Sequence, residues 1–314
     1  MTDPRRLIRP DPHKQRDFVG YGEKLPDPQW PNDAYIAVNF NLNVEGGGEL
    51  CPLWGDDTSE GILNDVGMPA MSGLRVPYVE QTFEYGSRRG AWRLLEIFAE
   101  HSVSMSVLAV AHAFQRNPHL ARAFAERGHE IVSHGLRWID YTAVAPDVER
   151  RDIAEAIDIL EKTSGKRPLG WFTGRPSINT RQLSLDIGGF LYDRDCLTDE
   201  LPYWVEVGEH VHLLVPYSLE VNDNSFDCAR GFNKQDDFFT YARDAFDVLY
   251  REGKKGSPKI LSIALHDRLI GRPARSEGLH RLLDYMARFK RVWFCTGGEI
   301  AQHWRDMFPA ALSS

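Results

Sequence analysis

An alternation that runs along most of the chain sets the strongest limit on its fold: short apolar segments rich in β-branched and aromatic residues, each followed by a stretch with helical periodicity. YIAVNFNLNVE, residues 35–45, reads as a buried strand that ends in polar groups. RGAWRLLEIFAEH, 89–101, then sets Trp92, Leu95, Ile97 and Phe98 along a helical face, and SMSVLAVA follows as a second buried strand. The pattern continues with a helix near 118–127, a strand at 130–133 and a long helix over 148–163 with Ile153, Ala156, Ile157 and Leu160 inward. Beyond it come a strand at 169–173, a helix near 180–187, and strands at 190–192 and 211–219. The last units are a helix near 236–251, a strand at 260–265, a helix near 281–289 and a strand at 292–295. Such alternation implies a parallel sheet with helices outside, and about seven or eight such strands predict a barrel whose site lies at the strands' C-terminal ends.

The 314 residues, 42% of them hydrophobic, suffice for a sizeable core. Residues 1–33, rich in Pro, Asp and Arg, predict an extended arm; 34–314 predict one barrel domain. The irregular stretch 51–79 is expected to be a loop that serves binding, assembly or cover. A net charge of −8 with basic residues scattered among acids argues against nucleic acid and leaves small neutral or cationic substrates open. Cys51, Cys196, Cys228 and Cys295 stand far apart with no CxxC pair and are expected as free thiols. No apolar run approaches the roughly 18–20 residues that span a bilayer, and the opening MTDPRRLIRPDPHKQRD lacks a secretory core, so a soluble, cytoplasmic protein without membrane partners is expected.

Several strands end in polar or ionisable groups: Asn41, Asn43 and Glu45 after the first, His134 after the third, residues 173–175 after the fourth, Asp193 and Asp195 after the fifth, and His266 after the penultimate one. A lone histidine is most often a packed or surface side chain. Repetition at one barrel end points instead to a site.

These residues carry a resemblance, over about 35–304, to the polysaccharide deacetylase superfamily, whose fold is an irregular (β/α) barrel of about seven strands. In that superfamily the first strand ends in two Asp residues, a base and a metal ligand, and GHEI leads into two metal-binding His residues four apart. Here GHEIVSHGLRW keeps His134 but has Trp138 at the second position, and Asn41 and Asn43 stand at the Asp positions. A site that needs three protein ligands has lost a carboxylate and an imidazole, so no metal and no other cofactor is expected. EYGSRRGAWRLL, SHGLRWIDY, GWFTGRPSINTR, FLYDRD, LPYW, VPYSLEVND and LSIALHDRLIGRPAR are similar to the metal-independent allantoinases of bacterial purine catabolism.

That resemblance implies hydrolytic opening of a cyclic ureide, with allantoin to allantoate in ureide catabolism foremost, and a homo-oligomer, with a tetramer expected. Such chemistry requires a base for water, donors for the oxyanion and an acid for the leaving nitrogen. Glu45 is the candidate base, with a pKa raised by burial; a residue of a Gly-rich turn is the alternative. His134 and His266 are the candidate acid and substrate-orienting groups, in either order. Arg175 and Asn43 are candidate donors to a ring carbonyl or oxyanion, Arg175 otherwise pairing with Asp193 or Asp195. Trp138 would wall the cavity against a planar ring, or pack the core. The run 84–88 is read as opening a helix, so that Glu84 and Arg88 would face a polar ligand, or form an exposed pair around a capping Ser87. In HDRLIGRPAR, Arg268, Arg272 and Arg275 lie on a loop over the barrel mouth that would clamp substrate, Arg272 above all, or a neighbouring subunit, unless the loop is merely solvated.

NVEGGGE and the end of TGRPSINTR depart from the allantoinase pattern, which leaves the preferred ring open, and the lost metal ligands favour a further alternative, so two other readings stand. One is a cyclic imide hydrolase on the same fold. The other is a member without catalysis that binds a small ligand or a protein.

Overall fold

The computed structural model describes residues 3–5, 7–8, 16–228 and 231–311; positions 1–2, 6 and 9–15 of the expected arm, and 229–230 and 312–314 of the expected domain, lie outside them. In chain order the strands are β1 (Leu7–Ile8), β2 (Ile36–Val44), β3 (Ser106–Ala109), β4 (Glu130–Ser133), β5 (Gly170–Trp171) and β6 (Tyr192–Asp193). They continue as β7 (Tyr203–Val207), β8 (His210–Leu214), β9 (Val221–Asn222), β10 (Lys259–His266) and β11 (Val292–Phe294). The helices are α1 (Pro77–Tyr85), α2 (Ala91–Glu100), α3 (Ala111–Arg116), α4 (Pro118–Glu126), α5 (Pro146–Ser164), α6 (Thr180–Ile187), α7 (Gln235–Lys254), α8 (Pro273–Met286) and α9 (Gly297–Met307).

One sheet contains all eleven strands, in the order β1-β7-β8-β6-β5-β4-β3-β2-β10-β9, with β11 also on β2. Seven consecutive strands, β10-β2-β3-β4-β5-β6-β8, run parallel and form the wall of an irregular α/β barrel. The antiparallel β7–β8 hairpin makes the sheet mixed. β2 is its axis: β11 pairs with residues 36–38 and β3 with 41–44.

Every residue of β2 is buried, yet the strand keeps the period of two. Ile36, Val38, Phe40, Leu42 and Val44 join Phe83, Leu94, Phe98, Leu279 and Leu282 in the outer core under the helices. Ala37 faces the other way, with Leu108, Val132, Tyr192 and Ala264, and Asn39, Asn41 and Asn43 share that inward face. β10 repeats the rule, with Ser262, Ala264 and His266 beside Asn39, Asn41 and Asn43. Fully burying one such Leu or Phe contributes about 1.5–3 kcal/mol, so the outer layer carries the stability while the lumen is left free to be polar.

The wall is not closed by a ladder between β8 and β10. A cavity of about 960 Å³ lies along this seam, lined by Val205, Leu214, Ile260 and Ser262 and, from the arm, Phe18 and Tyr21. The arm binds through Tyr21, whose hydroxyl donates to Pro202 O at 2.6 Å, and through buried Trp30, set against Trp293 and Trp304.

The structure corrects some boundaries. Residues 84–88 do not open a helix: Glu84 and Tyr85 end α1, and Gly86–Gly90 form a π-helical turn that runs directly into α2, so no free helix N-terminus is presented there. α8 starts at Pro273 rather than near 281, because Pro supplies the preset φ of a first helical residue right after the Gly-Arg loop. α3, α9 and the β7 strand of LPYW are additional elements.

Candidate active site

Strand termini assemble a buried polar cluster around Glu45, which follows β2 at a turn closed by Gly48 N donating to Glu45 O at 2.8 Å. His134 follows β4; its Nε2 lies 3.3 Å from Glu45 Oε1. His266 ends β10; its Nε2 lies 3.7 Å from the same oxygen. Arg268, two residues on, places Nη1 2.5 Å from Glu45 Oε2. Glu45, His134, His266 and Arg268 are all at most 4% exposed.

Asp223, wholly buried after β9, fixes His266: its Oδ1 is 2.6 Å from Nδ1, and its Oδ2 accepts the backbone N–H groups of His266 and Ile270 at 2.8 and 3.0 Å. A carboxylate only accepts, so Nδ1 carries the proton and the Nε2 lone pair of a neutral His266 turns toward Glu45. By the same reasoning His134 donates through Nε2 to Glu45, and its buried Nδ1 has no partner among the described residues.

Burial alone would raise the Glu45 carboxyl, but the Arg268 guanidinium and both imidazoles outweigh it and hold the group well below the usual carboxylate range. This overturns the expectation of a raised pKa. A carboxylate so strongly stabilised is a weak proton acceptor, and His266 Nε2, 3.7 Å from the same oxygen, is a second candidate for that role. Arg268, expected on a surface loop, is buried instead, with its guanidinium 4.4 Å from the Phe83 ring and 5.1 Å from that of Trp138. Asp267, between His266 and Arg268, is pushed up to about 7 by burial, and neither oxygen has a hydrogen-bond partner among the described residues.

The remaining candidates divide. Asn43 sits inside the barrel, its Nδ2 donating to Leu265 O at 3.0 Å and lying 3.4 Å from the Tyr217 hydroxyl. Trp138 is buried beside Phe83, their ring centroids 5.9 Å apart. Arg175 does not pair with Asp193 or Asp195; it covers the Trp138 indole at 4.4 Å and donates to Trp138 O at 2.8 Å. Asp193 instead holds Arg181 at 2.6 Å. Glu84 and Arg88 are 57% and 77% exposed, form a loose i,i+4 pair at 3.8 Å, and are not brought to the cluster. Arg272 also lies outside it, stacked on Tyr85 at 3.8 Å at the head of α8.

The deacetylase fold implies a divalent metal, and the donors present do not fit one. Neutral amides, Asn41 and Asn43, stand where such a site has carboxylates, and their Nδ2 groups donate to Asn39 O and Ser262 Oγ and to Leu265 O, so they bring no negative charge to a cation. An indole replaces the second imidazole, and the permanent charge of Arg268 already sits on Glu45. Among the described residues no group of three or more His, Cys, Asp or Glu is arranged to hold a metal ion.

Fold and cluster together define a hydrolase of the deacetylase type, a parallel barrel with its chemistry at the strand ends. The polysaccharide deacetylase family model matches residues 73–185. A relative from Schizosaccharomyces pombe, named for the polysaccharide deacetylases, is 40% identical over 316 residues, 95% of this chain and 99% of its own. The chain belongs to the polysaccharide deacetylase family. A Pseudomonas aeruginosa crystal structure bearing the same family name is 49% identical, with a TM-score of 0.91, over 94% of this chain and 99% of that one. The crystal structure of PuuE allantoinase is 48% identical, with a TM-score of 0.92 and the same coverage. Within the family the chain is thus similar in sequence and fold to an allantoinase.

Asp223 and Asp267 were not singled out from sequence. Asp223 closes the stretch VPYSLEVND, and an acid directly after a short apolar run was the available signal. Nothing in sequence announces Asp267 beyond its place beside His266.

Proposed function

We propose that the protein opens a cyclic ureide by hydrolysis, with allantoin to allantoate as the reaction, using its own side chains without a metal. The observation that carries this reading is the Asp223–His266 dyad, whose Nε2 faces Glu45 Oε1 beside His134. Water held near these groups gives a proton to His266 Nε2 and attacks the ring carbonyl carbon. Glu45, already ionised, stabilises the imidazolium as it forms. The tetrahedral intermediate then collapses, the ring C–N bond breaks, and the imidazolium returns its proton to the leaving nitrogen, so one water is added overall. Trp138 offers a flat face to the ring, while His134, with its Nε2–H on Glu45, orients that carboxylate beside it. A homo-oligomer, tetrameric by its resemblance, acting in the cytoplasm, completes the reading; light scattering on the purified protein checks the subunit number.

Ring opening of allantoin by chelator-treated protein, with hydantoin, dihydrouracil and succinimide alongside, tests the assignment. Turnover of allantoin is expected. Turnover of the imide alone would move the assignment to a cyclic imide hydrolase, and inactivity on every ring would leave a binding protein.

A further inference from the structure

Arg268 is the unusual member of the cluster. Its Nε donates to Leu63 O at 2.8 Å and its Nη1 to Glu45 at 2.5 Å, while its Nη2, equally buried, has no partner among the described residues. Arg137, an arginine that serves structure, spends both terminal nitrogens, on Asp56 at 2.7 and 2.6 Å and on Glu49 O at 3.0 Å. A desolvated N–H pair left unspent is costly, and native folds rarely retain one without a use. The guanidinium is also fixed in place, with the Phe83 and Trp138 rings against it and Leu63 O holding its stem.

Two imidazoles and this guanidinium meet on one carboxylate, the imidazoles on Oε1 and the guanidinium on Oε2. A reactant addressed by His266 Nε2 therefore lies beside the carboxylate that also holds the guanidinium. We propose that Arg268 Nη2 is the oxyanion donor of the ring-opening reaction. Resting on the cyclic-ureide reading above, the step is this: as water oxygen bonds to the ring carbonyl carbon and His266 takes the proton, the carbonyl π pair moves onto oxygen. Nη2–H donates to that oxygen, and the pair returns to expel the ring nitrogen. The preorganised cation thereby does electrostatic work at the point where negative charge develops, with no proton of its own to lose. Arg175 is less suited, being committed to Trp138 O.

The test compares wild type, Arg268→Lys and Arg268→Ala on allantoin, with folding followed by circular dichroism and thermal melting. Arg268→Lys keeps the charge on Glu45 but loses the second N–H edge. It should lower kcat about 10²–10³-fold, the usual cost of losing an oxyanion donor, with KM little changed. In folded Arg268→Ala, added methylguanidinium below denaturing concentration should restore part of kcat, which a purely structural role would not allow. If Arg268→Ala does not fold, the lysine variant decides alone. An active wild type whose lysine variant keeps kcat within about threefold overturns the role of Arg268 and leaves the ureide reading standing. A wild type inactive on every ring overturns both.

Discussion

Glu45 holds a guanidinium on one oxygen and two imidazoles on the other while almost wholly buried, so its partners, more than its own basicity, define its role. Removing one member of such a pair strands a buried charge, typically at a cost of about 3–5 kcal/mol. Glu45→Gln should therefore lower thermal stability as well as kcat, and pairing it with Arg268→Met should recover stability without activity; a thermal-melt double-mutant cycle measures this. Asp223→Asn attacks a different link. An amide at this place can present N–H to the imidazole and favour the wrong tautomer, so kcat should fall roughly 10²–10⁴-fold. Unchanged kcat would remove His266 as the base. At this scale the sequence shows which residues gather, because His134, His266 and Glu45 each end a readable strand. It does not show the ionisation of Glu45, which depends on Arg268, 223 positions away in sequence. Arg268 itself looks like one more loop arginine until the turn after β10 is seen folded inward.

The π-helical turn 86–90 explains how that inward turn is held. Gly86 lies against the Asp267 carboxylate and Gly90 against the Asp267 carbonyl, and Gly271 also packs on Gly90, so a Cβ at either position of the π-turn would collide. Tyr85 and Arg93 donate to Gly271 O from the flanking helices. Gly90→Ala should cost about 1–3 kcal/mol, as overpacking usually does, and should lower kcat with it by displacing His266 and Arg268; melting and turnover together check this. A stability loss with turnover intact would separate the turn from the site. The regular elements are largely legible: α2, α5 and α7 show their apolar stripes plainly. The π-turn is not, since a single inserted residue leaves the helical pattern on both sides intact. α9 was readable in principle from TGGE, whose Thr296 and Glu299 form a reciprocal capping box.

For the whole molecule, buried carboxyls set the pH range of stability. Glu45 is held below the ordinary glutamate value of 4.5, so its contribution is present above that pH and is lost as the pH falls below it. Asp267 and Asp195 are both raised, by burial, from 3.8 to about 7. They bind protons more tightly when folded, so their contribution is present at low pH and declines as the pH rises from about 4 to 7. Stability should therefore be greatest in weak acid, and Asp267→Asn should flatten the fall toward neutrality in a series of melts. An unaltered slope would place that carboxyl elsewhere in the titration. Parallel architecture and polar strand ends follow from sequence alone, whereas the open seam does not, because pairing between the wall's two edges is decided by curvature rather than by local pattern. Across that seam one backbone bond, Ile260 N to Glu200 O at 3.0 Å, stands in for a ladder. A hoop can widen only by breaking strand pairs, but a split ring opens by flexing. The lumen beneath Glu45 can thus dilate along a single line while each paired strand keeps its register.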